Sequence, residues 1–535
     1  FRTEIFKKLI TVFFLLSCMI WIYSTVLVWD YGLFDGISPE WEKLSYRGLI
    51  DLGVYFLFIF VYFAKRNFIY SIAKKASIMF IIIQLISIII INTAPAKLSL
   101  KNYIVDPNQK FDFSKEKNVI ILIVDSFQTD FFQEIITTDP SFKEIFKGFT
   151  YFKNTTGGFI NTTFSTVLIL TEKFYDNSIT KNEFTKNSLL SDSSLPKILK
   201  KNGFYTDLHP KGLFYWDEEI ASNYVKIDPS KINPVITKVN SKLLFNEDIL
   251  FDFVQLLDVS FYRMSPHFIK KRYYTDSYCF LKRFITLDNI NRFLHPGSQQ
   301  KILDKQDKPC LSSNTIKDST AKFIQSMHEN ISTQKQQPVF KHYHLKGLHR
   351  PLYLDENLKY HDKAFPENRK SYIRSAKGSL KLIEKFLFIL KEKNIYDNSM
   401  ILILADHGTN KIDPNLEYSG YCKNASNNIY PCTISSALPL LLIKRFNEKG
   451  ALKTSEAAIS LKNIAPTILD ELNIEKAKES ANSAFKIDPA ANIERRFFTY
   501  KVDPNEQNLD YLGEITEHTI TGFSWLESSW KLKKK

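Results

Sequence analysis

The chain has 535 residues, 44% of them hydrophobic, which is enough to bury a large core in one domain or in two or three. Its 71 Lys and Arg residues against 57 Asp and Glu give a net charge of +14, which favours an anionic partner. The Lys residues are scattered and form no stripe with Arg and aromatic residues, so the charge does not indicate nucleic-acid binding.

Three apolar segments occupy the first hundred residues, at about 10–29, 48–64 and 76–96. Each is close to the ~20 residues that cross a bilayer as a helix, which predicts an integral membrane region over 1–96. A cleaved signal peptide is the alternative, but it does not explain the second and third segments. The chain begins with Phe rather than Met, which leaves room for further spans upstream.

Basic residues flank these segments unevenly. They precede the first segment and lie between the second and third, whereas the loop between the first and second is acidic. The positive-inside rule therefore places the N-terminus in the cytoplasm and everything after residue 96 outside. We expect a multi-pass protein of a bacterial inner (cell) membrane, with its large domain in the periplasm or outside the cell.

Cysteine usage agrees with export. Cys18 lies in an apolar segment, and four others follow it: Cys279, Cys310, Cys422 and Cys432. An even number in an oxidising compartment suits two disulfides, and the ten-residue separation makes Cys422 and Cys432 the favoured pair, although the sequence leaves the pairing open. The absence of a Cys-x-x-Cys spacing disfavours a thiolate metal site.

After a Lys-rich linker at 97–116, strand and helix patterns alternate along the exported part, which we assign to 117–535. The runs "NVIILIVD" (118–125) and "SMILILADHG" (399–408) are continuously apolar and end in an acid, as strands buried on both faces of a parallel sheet do. The alternation predicts an α/β fold with a mostly parallel sheet and flanking helices. Residues 225–315 fit the pattern least and are interpreted as a possible insertion.

Polar side chains gather where the predicted strands end, which is where sites form in parallel sheets. Singly, each has an ordinary explanation, such as a cap, a turn or an exposed strand residue. Jointly, the carboxylates and imidazoles suit Zn²⁺ or Mn²⁺. They are Asp125, Asp406, His407, His342, His344, His349 and His209.

Two adjacent threonines, Thr162 and Thr163, begin an apolar run in "GGFINTTFSTVLILTEKFY" (157–175). A threonine hydroxyl becomes a nucleophile only with a neighbouring base or metal. If the run is a helix, its N-terminus also favours a phosphate. The alternative, that both threonines only cap the helix, stays open.

Five stretches resemble, in order, the sulfatase-like branch of the alkaline phosphatase superfamily, and in particular its membrane-anchored lipoteichoic acid synthases and phosphoethanolamine transferases. They are "NVIILIVDSF", "GGFINTTFSTVLILTEKFY", "HLKGLHRPLYL", "LILADHGTN" and "SLKNIAPTILDELN", and the resemblance covers about 118–475. It implies an alkaline phosphatase-like fold and a metal-dependent enzyme.

The resemblance also implies residue roles. The nucleophile of the family lies three residues before a Ser, which points to Thr162 before Ser165, with Thr163 as runner-up. Metal ligands would be Asp125, Thr162, Asp406 and His407, and the substrate would contact His349, His344 and His209. The sequence lacks the Cys/Ser-x-Pro-x-Arg motif of true sulfatases, and no His follows His407 until His518, which argues against a complete second metal site.

The function so implied is transfer of a phospho-head-group, phosphoethanolamine or phosphoglycerol, from a membrane phospholipid to a surface glycan or lipid through a phosphothreonine intermediate. One alternative is a hydrolase of phosphodiesters or sulfuric esters. A second is a membrane protein that binds lipid or regulates without catalysis.

Overall fold

The computed structural model describes residues 2–27, 29, 41, 44–93, 103–105, 109–209, 219–226, 257–273, 319–361, 363–409, 433–500 and 510–533. Contacts divide the chain into two compact units. The first joins Phe1–Asn102 with Asp228–Ser312, and the second joins Tyr103–Ile227 with Ser313–Lys535. The four cysteines predicted to form disulfides lie outside the described residues.

The first unit contains α1 (Arg2–Thr25), α2 (Ser45–Thr93) and α8 (His267–Tyr273), and residues 257–264 are also helical. Both long helices are long and apolar enough to cross a membrane. α2 is interrupted at Lys65, where the backbone leaves the helical region (φ −130°, ψ 17°).

The two halves of α2 run in opposite directions along α1. In the first half, Tyr55 lies 5.9 Å from Tyr23 between ring centroids, and Asp51 bonds to Trp29 beyond the end of α1. In the second half, the Tyr70 ring lies under the Lys7 ammonium, and Phe80 contacts Trp21 at 5.5 Å. The described parts of the three apolar segments predicted from the sequence therefore lie side by side, and α2 reverses direction at Lys65.

A seven-stranded sheet forms the centre of the second unit. From one edge to the other its strands are β12 (Lys453–Ser455), β4 (Phe149–Phe152), β11 (Leu441–Lys444), β10 (Ser399–Leu404), β3 (Asn118–Val124), β9 (Val339–Leu345) and β6 (Tyr205–His209). Six strands run in one direction and β11 runs against them, which confirms the predicted mostly parallel sheet.

Helices cover both faces of this sheet, because the side chains of each central strand alternate between two hydrophobic cores. In β3, Ile120 and Leu122 enter one core while Val119 and Ile121 enter the other. The helices are α3 (Thr129–Thr138), α4 (Ser141–Ile145), α5 (Thr162–Thr171), α6 (Lys181–Leu189), α7 (Leu195–Lys201), α9 (Ser319–Asn330), α10 (Arg369–Glu392), α11 (Thr433–Ser436) and α12 (Ile464–Glu471).

Smaller strand pairs surround the sheet. β1 (Tyr103–Val105) pairs with β7 (Tyr224–Lys226), β2 (Asp112–Ser114) with β8 (Ser332–Lys335), and β5 (Thr155–Thr156) with β13 (Ile459–Ser460). The segment predicted to be a linker, 97–116, thus contributes two strands. The short 3₁₀ helices are Leu461–Asn463, Ala484–Lys486 and Glu527–Ser529.

A three-stranded antiparallel sheet follows in sequence, formed by β14 (Glu494–Tyr500), β15 (Ile515–Thr521) and β16 (Trp530–Leu532). It contacts the chain just before α5. The Phe498 N–H donates to the Gly158 carbonyl at 2.8 Å, and the Phe498 ring stacks on Phe159 with centroids 5.2 Å apart. This sheet therefore supports the segment that leads to the two threonines.

Candidate active site

Asp125, His344 and Asp406 form a buried cluster at one edge of the central sheet. One ligand atom from each lies within 4.8 Å of the others. His344 Nε2 is 3.2 Å from Asp125 Oδ2 and 4.0 Å from Asp406 Oδ2, and all three side chains are shielded from solvent. The cluster joins residues that are up to 281 positions apart in sequence.

The register of three parallel strands explains the cluster. Ile123 of β3 pairs with Leu404 of β10 on one side and with His344 of β9 on the other. Asp125 and Asp406 each follow their paired residue by two positions, and strand side chains repeat with a period of two. All three side chains therefore emerge on one face at the carboxyl ends of adjacent strands.

The two oxygens of Asp406 have different surroundings. Oδ1 accepts the backbone N–H groups of His407 at 3.1 Å and Ser126 at 3.3 Å. Oδ2 is buried, and no hydrogen-bond donor reaches it in the described part of the chain. A buried carboxylate oxygen without a partner is unfavourable unless it binds a cation, and this oxygen faces the two imidazoles.

His407 lies beside the cluster with one ring nitrogen turned toward it. Its Nδ1 contacts the Gly408 carbonyl at 2.8 Å, which favours a proton on Nδ1 and a lone pair on Nε2. Nε2 is 3.5 Å from Asp406 Oδ2 and 3.9 Å from Asp125 Oδ1. His407 can therefore act as a neutral nitrogen ligand.

This donor set fits a divalent metal. It combines two carboxylates with two imidazoles in a buried pocket, a combination that suits Zn²⁺ and Mn²⁺. His344, for which the family resemblance implied a substrate contact, lies within the group that could hold the ion.

Ser126 links both carboxylates. Its backbone has a left-handed conformation (φ 60°), which directs its N–H to Asp406, while its hydroxyl donates to Asp125 Oδ1 at 2.8 Å. Such partners of metal-ligating groups fix the orientation of the carboxylates.

The turn after β9 lies directly against Asp125 and carries His349. The Leu348 N–H donates to the Asp125 carbonyl at 2.8 Å. Gly347 has φ +55°, and a Cβ atom there would lie 2.5 Å from the Asp125 nitrogen and 2.7 Å from the Val124 carbonyl carbon. Only glycine permits this approach. His349 is half-buried, and its Nδ1 contacts the Arg350 carbonyl at 2.7 Å.

Thr162 and Thr163 are the first two residues of α5, and both are half-buried. The N-cap is Asn161, whose side chain accepts the Phe164 N–H at 3.1 Å. The threonine hydroxyls are therefore not the N-cap acceptor, and the N–H groups of the first turn point out of the helix end. Asn161 is itself held by Tyr500, to whose hydroxyl it donates at 3.0 Å.

The start of α5 and the Asp406 turn share a neighbour. The Gly157 N–H donates to the Ala437 carbonyl at 2.8 Å, and the Gly408 N–H donates to the adjacent Ser436 carbonyl at 2.7 Å. The segment that leads into Thr162 and the turn that carries His407 thus meet at the end of α11.

His209 lies apart from this cluster. Its Nε2 is 2.6 Å from Asp207 Oδ1, and its ring stacks on Tyr343 at 5.6 Å. In the strand register His209 pairs with Tyr343, whose side chain enters the core on the face opposite to His344. His342 is fully buried in β9, and this burial lowers its pKa to about 3, so the ring stays neutral.

Three residues that matter for this geometry were missed by sequence reasoning: Ser126, Asn161 and Gly347. An Asn directly before a helical run is an N-cap signal that could have identified Asn161. Nothing in the sequence marks the left-handed backbone of Ser126 or the close approach of Gly347.

Comparison with known proteins places this fold and site in a family. A model of the family described as "Sulfatase" matches residues 117–474. No curated protein sequence matches the chain.

Several solved structures are similar to this chain at low identity. Phosphonate monoester hydrolase from Silicibacter pomeroyi is 14% identical over 76% of this chain and 87% of its own, with a TM-score of 0.44. Lipoteichoic acid synthase LtaP from Listeria monocytogenes is 14% identical over 81% and 90%, with a TM-score of 0.38. The C-terminal periplasmic domain of EcEptC from Escherichia coli, solved with Zn, is 12% identical over 74% and 92%, with a TM-score of 0.37.

The family match covers more than half of the chain and includes every residue of the cluster. The chain is therefore an enzyme of the sulfatase family.

Proposed function

We propose that this protein transfers a phospho-head-group, phosphoethanolamine or phosphoglycerol, from a membrane phospholipid to a hydroxyl of a surface glycan or lipid. The observation that carries the proposal is the meeting of two segments at the end of α11: the turn after β10, which carries Asp406 of the buried cluster, and the segment leading to Thr162. A phosphate held there would contact both the cluster and the start of α5.

The membrane region supports a lipid donor. The three apolar segments that lie side by side in 1–96 would cross a bacterial cell membrane three times, with the catalytic part, 117–535, on the outside or in the periplasm and 97–116 leading into it. An enzyme fixed to the membrane in this way can reach phospholipid head groups while the lipid stays in the bilayer.

In the first step, the Thr162 oxygen loses its proton and attacks the phosphorus of the phosphodiester. A bond forms between the threonine oxygen and phosphorus, and the bond from phosphorus to the diacylglycerol oxygen breaks. The leaving oxygen takes up a proton, so diacylglycerol departs and the head group stays as a phosphothreonine diester.

Positive and polar groups would stabilise the phosphoryl oxygens during this step. The exposed N–H groups of the first turn of α5 point to the region in front of Thr162, where the helix end favours negative charge. His349 lies on the turn that packs on Asp125 and would contact the same oxygens. The substrate contact that the resemblance implied for His209 is not part of this step, because its side chain lies on the sheet face opposite to His344.

Asp125, Asp406 and His407 would hold one divalent ion, Zn²⁺ or Mn²⁺, together with Thr162, and His344 lies close enough to share in binding it. When bound, such an ion supplies positive charge that lowers the pKa of a hydroxyl and neutralises phosphoryl oxygens.

In the second step, a hydroxyl oxygen of the acceptor loses its proton and attacks the phosphorus of the phosphothreonine. The bond from phosphorus to the threonine oxygen breaks, and that oxygen takes up a proton. The same first step followed by attack of water would make the protein a hydrolase, so the acceptor decides between the two.

Intact-mass spectrometry of the full chain tests the proposal. The protein would be incubated with Zn²⁺ or Mn²⁺ and vesicles of phosphatidylethanolamine or phosphatidylglycerol, and then digested for peptide mapping. We expect a mass increase on the 157–175 peptide equal to one head-group phosphate. Thr162→Ala should abolish it, whereas the adjacent Thr163→Ala should retain it.

The outcomes separate the alternatives. Labelling that persists in Thr162→Ala and disappears in Thr163→Ala would identify Thr163 as the nucleophile. Release of free head-group phosphate at equal rates with and without a glycan acceptor would indicate a hydrolase. Absence of both adduct and product, with metal bound, would overturn the catalytic proposal.

A further inference from the structure

Part of the segment interpreted as an insertion belongs with the apolar helices. Residues 257–264 and α8 (His267–Tyr273) form two short helices, and contacts assign both to the same compact unit as α1 and α2. Neither the sulfatase chemistry nor the central sheet requires this arrangement.

Asp51 of α2 is the point of attachment. Its carboxylate is completely buried; Oδ2 accepts the His267 N–H at 2.6 Å and Oδ1 accepts the Trp29 indole N–H at 3.0 Å. Gly48, one turn earlier, leaves room for the His267 ring, because a Cβ there would lie 3.3 Å from it. A buried charge in an apolar helix is strongly unfavourable unless it is hydrogen-bonded, so Asp51 specifies where α8 begins.

Lys270 joins the two short helices. Its side chain is 1% exposed, and its ammonium donates to the Tyr262 carbonyl at 2.5 Å and to the Arg263 carbonyl at 2.9 Å. These carbonyls lie in the last turn of 257–264, so Lys270 caps the C-terminal end of that helix. The two helices and Asp51 therefore form one connected element.

This element lies at a defined end of the helix bundle. Asp51 is near the start of α2 and bonds to Trp29, which follows α1, so it marks the end that the positive-inside rule places outside the membrane. The same rule places the chain around residue 260 outside. Two independent features, loop charge and side-chain contact, thus agree.

The element exposes apolar side chains. Phe268 is 55% exposed and Leu257 is 36% exposed. The part of α2 around Asp51 also exposes apolar side chains, since Leu49 is 71% exposed and Leu52 is 42% exposed. Aromatic and aliphatic side chains beside a spanning helix are suited to the boundary between head groups and acyl chains.

We propose that residues 257–273 form a membrane-surface element, attached to the outer end of the apolar helices through Asp51, with Phe268 and Leu257 inserted into the outer leaflet. The partner is the phospholipid surface itself. The inference rests on the proposed membrane placement of α1 and α2.

Photocrosslinking of the full chain in phosphatidylethanolamine and phosphatidylglycerol vesicles tests it. A benzophenone amino acid would replace Phe268 or Leu257 in separate samples, and mass spectrometry would detect covalent lipid adducts after irradiation. Replacement of Phe60, an exposed residue of α2, is the positive control, and replacement of Arg263, an exposed polar residue beside Tyr262, is the matched negative control.

We expect lipid adducts at positions 268, 257 and 60 and no lipid adduct at position 263. Adducts at 60 without adducts at 268 and 257 would overturn this inference and leave the membrane placement intact. Adducts at none of the positions would overturn both.

The role of Asp51 has its own test in the same vesicles. Asp51→Ala should accelerate tryptic cleavage at Arg263 and Lys270, because the anchor for α8 is lost. Leu52→Ala, at the neighbouring exposed position, should leave the cleavage rate unchanged. Equal cleavage rates in Asp51→Ala and the unaltered protein would contradict the attachment.

Discussion

Replacing Gly347 with alanine should damage both the stability and the active site. The new Cβ would lie 2.5 Å from the Asp125 nitrogen and 2.7 Å from the Val124 carbonyl carbon, in a backbone with φ +55°. Left-handed backbone costs alanine about 1 kcal/mol, and overpacking against rigid backbone adds about 1–3 kcal/mol. The free energy of unfolding should therefore fall by about 2–4 kcal/mol.

The clash also affects function, because the atoms that must move belong to the residue that supplies a carboxylate to the cluster. The Leu348 bond to the Asp125 carbonyl, 2.8 Å long, would stretch or break. We expect Gly347→Ala to lose head-group adduct formation and to bind Zn²⁺ more weakly. Urea unfolding of the full chain in detergent, monitored by tryptophan fluorescence, would measure the free energy of unfolding. Calorimetric titration would measure the affinity for Zn²⁺.

Gly203 provides a matched control. It also has a left-handed backbone, with φ +83°, but nothing lies within 4 Å of the position that a Cβ would occupy. Gly203→Ala should lose only the conformational contribution, about 1 kcal/mol, and keep full metal affinity. If the two variants prove equally stable and bind metal equally well, the close approach of Gly347 does not position Asp125 and the reasoning fails.

Other changes have equally definite outcomes. Ser126→Ala removes the hydroxyl that donates to Asp125 at 2.8 Å and should weaken Zn²⁺ binding about tenfold by calorimetric titration while the circular dichroism spectrum is unchanged. Asn161→Ala removes the cap of α5 and should lower stability to urea by about 1 kcal/mol, whereas Asn161→Ser should lose less; equal losses would contradict the capping role. Burial lowers the pKa of His518 to about 4, so the unfolded chain takes up this proton at a higher pH than the folded chain. The free energy of unfolding should therefore be highest above about pH 6.5 and fall by about 3 kcal/mol by pH 4 because of this histidine. His518→Phe should flatten that part of the pH dependence of the unfolding midpoint, and an unchanged slope would show that another group titrates.

Local pattern was sufficient to predict the elements that carry the two carboxylates. β3 and β10 are short, continuously apolar and followed by an acid, because strands at the centre of a parallel sheet are buried on both faces and their carboxyl ends open to one edge. Residue type then limited the chemistry to oxygen and nitrogen ligands. These inferences need only neighbours in sequence.

Long-range register could not be predicted in the same way. That His344 faces the carboxylates while His209 faces the opposite core depends on how β9 pairs with β3 and β6, strands more than 100 residues apart in sequence. A shift of one residue would exchange the two faces. The antiparallel direction of β11 likewise depends on its pairing with β4 and β10 rather than on its own apolar sequence.

The support that β14 gives to Gly158 and Phe159 bears on how the protein can be divided for experiments. A fragment cut at residue 474, where the family match ends, would keep every residue of the buried cluster but lose the Phe498 donor and the stacked Phe498 ring. The segment before Thr162 would then lack the contacts that β14 makes with Gly158 and Phe159. A soluble version for biochemistry should therefore extend through β16, and a shorter one would be expected to bind metal yet react poorly.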